Sequence, residues 1–247
     1  MITAFASCAH GTQQPSVTYA VFDYLDIPSL AKHHKPVLSE LRRSLKRPVI
    51  LRSSRGEADF KESVRQEKPL VVYAPQHIMH GILSGHYQEL ARPSTTEFRL
   101  VGRHTAALVD TKITSLHNVG MASVWLSVHG DYIDIFSPEQ QIRGYESDNT
   151  CLFALSMKHL EACLVLSETA QLYFGTRDMN FRTIATAHSS FGPLFFLRTQ
   201  VLSHEEASAL RNQLATLLNS RPGWSSRDWQ VLQDEPNAAG RGMGDGH

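Results

Sequence analysis

The fold is organised around residues 69–80, which read Pro-Leu-Val-Val-Tyr-Ala-Pro-Gln-His-Ile-Met-His. Residues 70–72 form a short β-branched apolar run, which is typical of a buried strand. Residues 76–83 predict a helix, because Pro75 stands near its first turn, where a missing N–H costs little. A strand that turns directly into a helix leaves unpaired N–H groups that suit an anion. An ordinary αβ unit without a ligand shows the same pattern.

The residues on both sides of this segment alternate between strand and helix patterns. The predicted strands of the first part are 17–22, 48–52 and 69–72, and the predicted helices are 28–45 and 57–66. This β-α-β-α-β-α order indicates a parallel sheet with right-handed crossovers.

After residue 96 the pattern changes. Residues 97–110 predict a long strand or strand pair that leaves the first sheet. Further predicted strands are 124–126, 162–166, 183–187 and 194–197, and residues 150–159 predict a helix. Ser203 and Glu206 have the spacing of a capping box that opens an amphipathic helix.

Composition excludes several classes of function. The 247 residues suffice for one large domain or two lobes. The 24 basic and 24 acidic residues give a net charge of +0, so no general attraction to nucleic acid or to a membrane surface is expected. No apolar run approaches the roughly 20 residues of a transmembrane helix.

The three cysteines are Cys8, Cys151 and Cys163, and none lies in a Cys-x-x-Cys pair. A zinc knuckle or a dithiol redox site is therefore not indicated. Cys151 and Cys163 are either a disulfide or two free thiols. We expect buried free thiols, because Cys163 lies within an apolar strand pattern.

Phe5-Ala6-Ser7-Cys8 resembles a bacterial lipobox, in which small residues precede a cysteine that becomes lipid-modified. Only seven residues precede Cys8, too few for a charged region and an apolar core. Either the signal peptide is truncated or the match is chance. In the first case Cys8 anchors the protein to a membrane.

Five short phrases, taken in order, point to a known family. They are residues 38–49 (leucines, then a basic residue before Pro-Val), Ala58-Asp59-Phe60, Tyr73-Ala74-Pro75, residues 113–120 (Ile-x-Ser-Leu before a glycine) and residues 188–197. Their order from about residue 17 to 218 resembles the phosphate/phosphonate-type periplasmic binding proteins of ABC transporters, within the type 2 periplasmic-binding-protein fold.

The resemblance implies a two-lobed α/β fold with mixed, mostly parallel sheets and crossing hinge strands. It places lobe one at residues 15–108 and 187–247 and lobe two at residues 109–186, with the ligand between them. Closure is expected as a hinge motion near Val109 and Ala185.

The resemblance also implies a non-enzymatic solute-binding protein of the periplasm or cell envelope. It would bind a small oxyanion without a cofactor or catalytic residue and present it to an ABC permease or a membrane sensor. The family grips phosphonate with a Ser-Thr-Ser-Gly loop, but the nearest phrase here is Ser127-Val128-His129-Gly130. Two hydroxyls are missing from this loop, which leaves the phosphonate specificity open.

In lobe one the resemblance implies four ligand contacts. Phe60 and Tyr73 match aromatic positions that line the family's cleft, although Phe60 is equally suited to the core. Tyr73 keeps a hydroxyl at the strand tip. Gln76 and His77 occupy the start of the following helix, where backbone N–H groups favour an anion.

In lobe two the predicted contacts are Ser127, His129, Asp148, Asn149, Ser167, Glu168 and Thr169. Asp148 and Asn149 also suit an ordinary N-cap, and residues 167–169 also suit a helix cap. A carboxylate at Glu168 favours a ligand that carries an amine, as in an aminoalkylphosphonate.

Two alternatives remain beside this interpretation. One is a sensory or accessory protein of the same fold with a different ligand. The other is metal binding, since His77 and His80 lie three apart among 13 histidines, although two histidines without a third ligand are a weak signal. An enzyme is disfavoured, because no nucleophile–base pattern and no Walker or GxGxxG loop is present.

Overall fold

The computed structural model describes residues 15–25, 27–54, 56–80, 82, 85–103, 113–128, 135–136, 140–176, 180–221, 224 and 229–231. The predictions made at Cys8, Val109 and His129 lie outside these residues.

Eleven strands and seven α-helices are described. The strands are β1 (Val17–Phe22), β2 (Val49–Ser54), β3 (Val71–Pro75), β4 (Tyr87–Pro93), β5 (Thr96–Arg103), β6 (Val119–Ala122), β7 (Ile142–Tyr145), β8 (Ala162–Leu166), β9 (Phe181–Ser189), β10 (Pro193–Arg198) and β11 (Trp229–Val231). The helices are α1 (Ile27–Leu45), α2 (Gly56–Glu67), α3 (Gln76–His80), α4 (Ser123–Leu126), α5 (Asp148–Ser156), α6 (Ser167–Thr176) and α7 (His204–Ser220).

The first sheet has the strand order β11-β4-β10-β3-β1-β2. Strands β2, β1 and β3 are parallel, as the β-α-β-α-β pattern predicts, and α1 and α2 form their crossovers. Strand β10 returns antiparallel to both β3 and β4. This sheet and its helices form the first lobe.

The second sheet has the order β7-β6-β8-β5-β9. Strands β7, β6 and β8 are parallel, whereas β5 pairs antiparallel with β8 and β9. This sheet and its helices form the second lobe. The predicted two-lobed α/β architecture with mixed sheets is therefore confirmed.

The chain passes between the two sheets twice. The first crossing is residues 94–95 between β4 and β5, and the second is residues 190–192 between β9 and β10. The predicted lobe boundary at residue 108 departs from this division, because β5 already pairs in the second sheet. Ala185, a predicted hinge residue, lies within β9 opposite Leu100. Strand β5 alternates charged and apolar residues (Glu97, Phe98, Arg99, Leu100), and this pattern does not indicate which of the two sheets the strand joins.

The predicted strand at residues 124–126 is wrong. The strand lies earlier, in β6, and α4 follows it at once. Gly120 in β6 made this segment look unlike a strand in the sequence. Its lack of a side chain is needed for packing, since a Cβ on Gly120 would lie 2.7 Å from Leu160 Cδ1 and 2.9 Å from Cys151 Sγ. Glycine, which disfavours strands by propensity, is required here because these two side chains lie so close to its backbone.

The expectation of free thiols is also wrong. Cys151 on α5 and Cys163 on β8 form a disulfide, with Cα atoms 6.1 Å apart. Because α5 packs across the apolar strand β8, Cys163 can be buried and still reach Cys151. An apolar strand pattern around a cysteine therefore does not argue against a disulfide.

Two further observations complete the fold. The predicted capping box is present, with Ser203 as N-cap and Glu206 reaching back to its N–H. No helix in the described part of the chain has both the length and the apolar character needed to span a bilayer.

The two crossings touch each other. A Cβ built on Gly192 in the second crossing would clash with Oγ1 of Thr96, which directly follows the first. We expect Gly192→Ala to force the crossings apart and to lower the free energy of unfolding by about 1–3 kcal/mol. Urea denaturation measures this, with the exposed neighbour substitution Ser190→Ala as control. An unchanged midpoint for Gly192→Ala would show that the crossings are not tightly packed.

Candidate ligand-binding site

Tyr73 and Glu168 meet between the two lobes. The hydroxyl of Tyr73, on β3, donates a hydrogen bond of 3.3 Å to Oε1 of Glu168 in the first turn of α6. Both side chains are buried, with exposed fractions of 0% and 2%. Two predicted contacts 95 residues apart in sequence are thus brought together.

The ring of Tyr73 is held by an aromatic cluster. The ring centroids of Phe195, His34 and Trp224 lie 4.7, 5.0 and 5.5 Å from that of Tyr73. Contacts on several sides leave the ring little freedom, so the hydroxyl points to one place. This rigidity suits a hydrogen-bond donor in a binding site.

His34 is the polar centre of this cluster. Its Nδ1 lies 2.7 Å from the hydroxyl of Tyr19 and its Nε2 lies 3.0 Å from that of Tyr24. His34 is fully buried on α1, four residues after Leu30 and three before Val37. That spacing places His34 on the apolar face of α1. The same spacing could have identified His34 as a buried polar residue from the sequence, but it was not among the predicted site residues.

A cavity of about 230 Å³ lies between the lobes. It is lined by Asp23, Leu25, Gly56, Glu146, Ser147, Asn149 and Thr150. The first three belong to the first lobe, and the last four lie around the start of α5 in the second. Only Asn149 is among the predicted contacts.

The cavity and the Tyr73–Glu168 contact belong to one region. Tyr73 pairs with Val21 in the parallel strands β3 and β1, and Asp23 follows two residues later. Across the cleft, Asp148 at the start of α5 bonds Thr169, the neighbour of Glu168. The carboxyl ends of parallel strands in the first lobe therefore face the helix starts of the second.

Two helix N-termini border the cavity. Gly56 begins α2 with φ of +72°, a left-handed conformation that favours glycine. Ser147 caps α5 in a box with Thr150, each side chain accepting the other's backbone N–H. The remaining N–H groups and the positive ends of both dipoles favour an anion.

Carboxylates lie close to the same cavity. Asp23 and Glu146 line it, and Glu168 stands at the neighbouring Tyr73 contact. Negative side chains beside positive helix ends favour a ligand with charges of both signs. A ligand with only negative charge is disfavoured by these carboxylates.

Asp148 is bonded within the second lobe. Its carboxylate accepts hydrogen bonds from Trp125 Nε1 at 2.9 Å, from the Leu166 N–H at 3.0 Å and from Thr169 Oγ1 at 3.0 Å. Burial raises the pKa of Asp148 to about 6, although the three donors lower it. Asp148 and Thr169 therefore tie α4, α5, β8 and α6 together and position the cleft.

Ser167 and Ser127 are also engaged within the second lobe. Ser167 donates to Oε1 of Glu97 on β5 at 2.7 Å, which fixes the start of α6 beside Glu168. Ser127 is exposed and donates to the carbonyl of Val124 at 3.0 Å, so it closes the end of α4.

Phe60 and Gln76 are engaged within the first lobe. Phe60 is 1% exposed and packs edge-to-face on Phe22 at 5.4 Å, which makes it a core residue. Gln76 donates to Oε1 of Glu89 on β4 at 3.1 Å. The structure does not bring these side chains to the Tyr73–Glu168 contact.

His77 lies against the second crossing. Its ring stacks on Phe191 at a centroid distance of 5.3 Å. Burial lowers the pKa of His77, opposed by the nearby Glu57 carboxylate. In the part of the chain that the structure describes, no three His, Cys, Asp or Glu side chains are grouped closely enough to hold a metal ion.

Comparison with known proteins gives two results. No family model and no curated protein matches the sequence. The binding-protein component of an ABC phosphonate transporter from Pseudomonas aeruginosa matches the structure with a TM-score of 0.63 at 13% identity, covering 90% of this chain and 82% of that one. The chain has the two-lobed fold of the type 2 periplasmic binding proteins.

Other members of this fold bind different ligands. PhnD1 from Prochlorococcus marinus, solved with methylphosphonate, matches with a TM-score of 0.62 at 9% identity, covering 89% of this chain and 93% of that one. The GluR0 ligand-binding core, solved with L-glutamate, matches with a TM-score of 0.54 at 10% identity, covering 81% of this chain and 92% of that one. At these identities the likeness concerns the periplasmic-binding-protein fold, and the ligand has to be inferred from the site.

Proposed function

We propose that the protein is a periplasmic solute-binding protein of a phosphate/phosphonate-type ABC transporter, and that its ligand is a small oxyanion that also carries an amine. The observation behind the proposal is the Tyr73–Glu168 contact beside an interlobe cavity that two helix N-termini border. The oxyanion binds at the N-termini of α2 and α5, and the amine faces the carboxylates.

Size and geometry support a small ligand. The cavity of about 230 Å³ is smaller than the ~300–1,000 Å³ of pockets for drug-sized molecules. The Tyr73–Glu168 bond of 3.3 Å is longer than the ~2.7 Å of a strong O–H···O bond. A ligand ammonium group at Glu168 would compete with this long hydrogen bond.

The periplasmic location is supported by the bridge between Cys151 and Cys163. Disulfides persist in oxidising compartments such as the periplasm and are rare in the cytosol. We propose an ABC permease as partner, and lipidation of Cys8 as the means of attachment to the membrane.

We propose that the two lobes close on the ligand by a hinge motion at the two crossings, residues 94–95 and 190–192. His77 stacks on Phe191 of the second crossing, so α3 is placed to follow this motion. Hinges of this kind are a few loop residues at the ends of elements.

A thermal-shift series tests the proposal. We expect 2-aminoethylphosphonate to stabilise the protein more than methylphosphonate, phosphate or sulfate, because only the first has an amine for the carboxylates. A ligand at 100 times its Kd stabilises the folded state by about 2.7 kcal/mol. Stabilisation by zinc or nickel alone, or by none of these compounds, would refute the proposed function.

A further inference from the structure

A second cavity, of about 350 Å³, lies in the first lobe away from the cleft and is named the distal cavity. It is lined by Val64, Arg65, Lys68, Ile82, His86, Tyr87 and Arg198. None of these residues lines the interlobe cavity.

The strand register places the distal cavity at the opposite end of the first sheet. Lys68 lies three residues before β3 begins, whereas Tyr73 is the third of the five residues of that strand. Five strand residues span roughly 16 Å. Arg198 pairs with Tyr87 at the same far end, where β10 finishes and β4 begins.

The floor of the distal cavity is apolar. Val64 on α2, Ile82 and the ring of Tyr87 are all buried. The hydroxyl of Tyr87 is already used, because it donates to the carbonyl of Pro69 at 2.9 Å. An apolar or aromatic group is therefore the natural occupant of the floor.

The rim of the distal cavity is cationic, and no carboxylate is among its described lining residues. In the described part of the chain, neither Lys68 nor Arg198 forms an ion pair within 4.0 Å. Arg65 approaches Glu62 at 3.9 Å, but both side chains are more than half exposed, and such pairs contribute little.

The end of α2 does not cancel this charge. Its last carbonyls carry a partial negative charge, but the N–H of Lys68 donates to the carbonyl of Val64 at 3.1 Å. The guanidinium of Arg198 donates to the carbonyl of Lys68 at 3.1 Å. The carbonyls of Val64 and Lys68 are thus already engaged, and Arg65, Lys68 and Arg198 bring three positive side chains to the rim of the cavity.

We propose that the distal cavity is a second binding site, for a small organic anion with an aromatic or apolar body, of the aryl phosphate or aryl carboxylate class. The anionic group binds Lys68 and Arg198, and the ring lies on Val64, Ile82 and Tyr87. The volume of about 350 Å³ lies within the ~300–1,000 Å³ range of small-molecule sites. This site is independent of the function proposed for the cleft.

The test is calorimetric titration of 1-naphthyl phosphate, with neutral 1-naphthylmethanol as the uncharged comparison. We expect saturable binding of the phosphate and at least about tenfold weaker binding of the alcohol, since charge-assisted hydrogen bonds are lost. Arg198→Met and Lys68→Gln are each expected to raise the Kd of 1-naphthyl phosphate by about tenfold.

Two variants serve as controls. Arg221→Met removes an exposed arginine at the end of α7 and is expected to leave the Kd unchanged. Tyr73→Phe alters the cleft and is also expected to leave it unchanged, which separates the two cavities. If Arg198→Met fails to fold, the exposed Lys68→Gln decides the outcome.

Three results would overturn the proposal: no saturable binding to the wild-type protein, an unchanged Kd in Lys68→Gln, or loss of binding in Tyr73→Phe. The third would assign the aryl phosphate to the cleft instead.

Discussion

Replacing Glu168 by glutamine is expected to weaken binding of 2-aminoethylphosphonate without weakening binding of methylphosphonate. Glu168 is 2% exposed and contacts Tyr73 of the first lobe, near the interlobe cavity. Loss of one partner of a buried charge pair costs about 2–5 kcal/mol, or at least ~30-fold in Kd. Methylphosphonate has no amine, so it loses no charge partner when Glu168 is replaced.

Calorimetric titration of both compounds into wild-type and variant protein measures this difference. Glu205→Gln is the matched control, because Glu205 is exposed in the first turn of α7. Tyr73→Phe is expected to have a smaller effect, since it removes a hydroxyl and keeps the ring packing. Equal weakening of both compounds by Glu168→Gln would mean that Glu168 does not bind the amine.

Asp148 is expected to make the stability of the protein depend on pH. Burial raises its pKa in the folded state from 3.8 to about 6. Because the folded state then holds the proton more tightly, this contribution is fully present below the unfolded pKa and is lost as the pH rises through the folded pKa. The loss amounts to about 3 kcal/mol between roughly pH 4 and pH 7.

The measurement is the free energy of unfolding of the wild-type protein and of Asp148→Asn at several values of pH. The difference between the two free energies of unfolding at each pH reports the contribution of Asp148, because the other carboxylates are common to both proteins. Asp59→Asn, on the exposed face of α2, is the control and is expected to show no such trend. A wild-type-to-variant difference that does not change between these pH values would contradict the assignment.

The parallel part of the first lobe could be predicted from the sequence because its signals are local, whereas β4 and β11 of the same lobe were not predicted. The alternation of strands and helices indicates parallel β1, β2 and β3, and the segment around Tyr73 indicates a strand that ends at a helix. Glu168 follows an apolar strand, so its position at the start of a helix could also be predicted from the sequence. Their contact depends on the path of the crossings, and no local pattern encodes that path.

Other parts of the site could not be predicted because tertiary contacts decide them. Gly120 sits in a strand because the side chains of Leu160, Tyr145 and Cys151 leave no room for a Cβ there. Asp148 suits an N-cap by sequence, yet its side chain bonds Trp125 and Thr169. Asp23 and Gly56 line the cavity because the second lobe faces them, although the end of β1 is a general place to look for ligands.

The central claim is that a solute binds between the lobes, and hydrogen–deuterium exchange tests it most directly. On addition of 2-aminoethylphosphonate, we predict slower exchange of the backbone amides at residues 56–59 and 148–151, the starts of α2 and α5. Amides near Lys68 and Arg198 are predicted to be unaffected. Unchanged exchange at both helix starts while the compound binds would contradict the account.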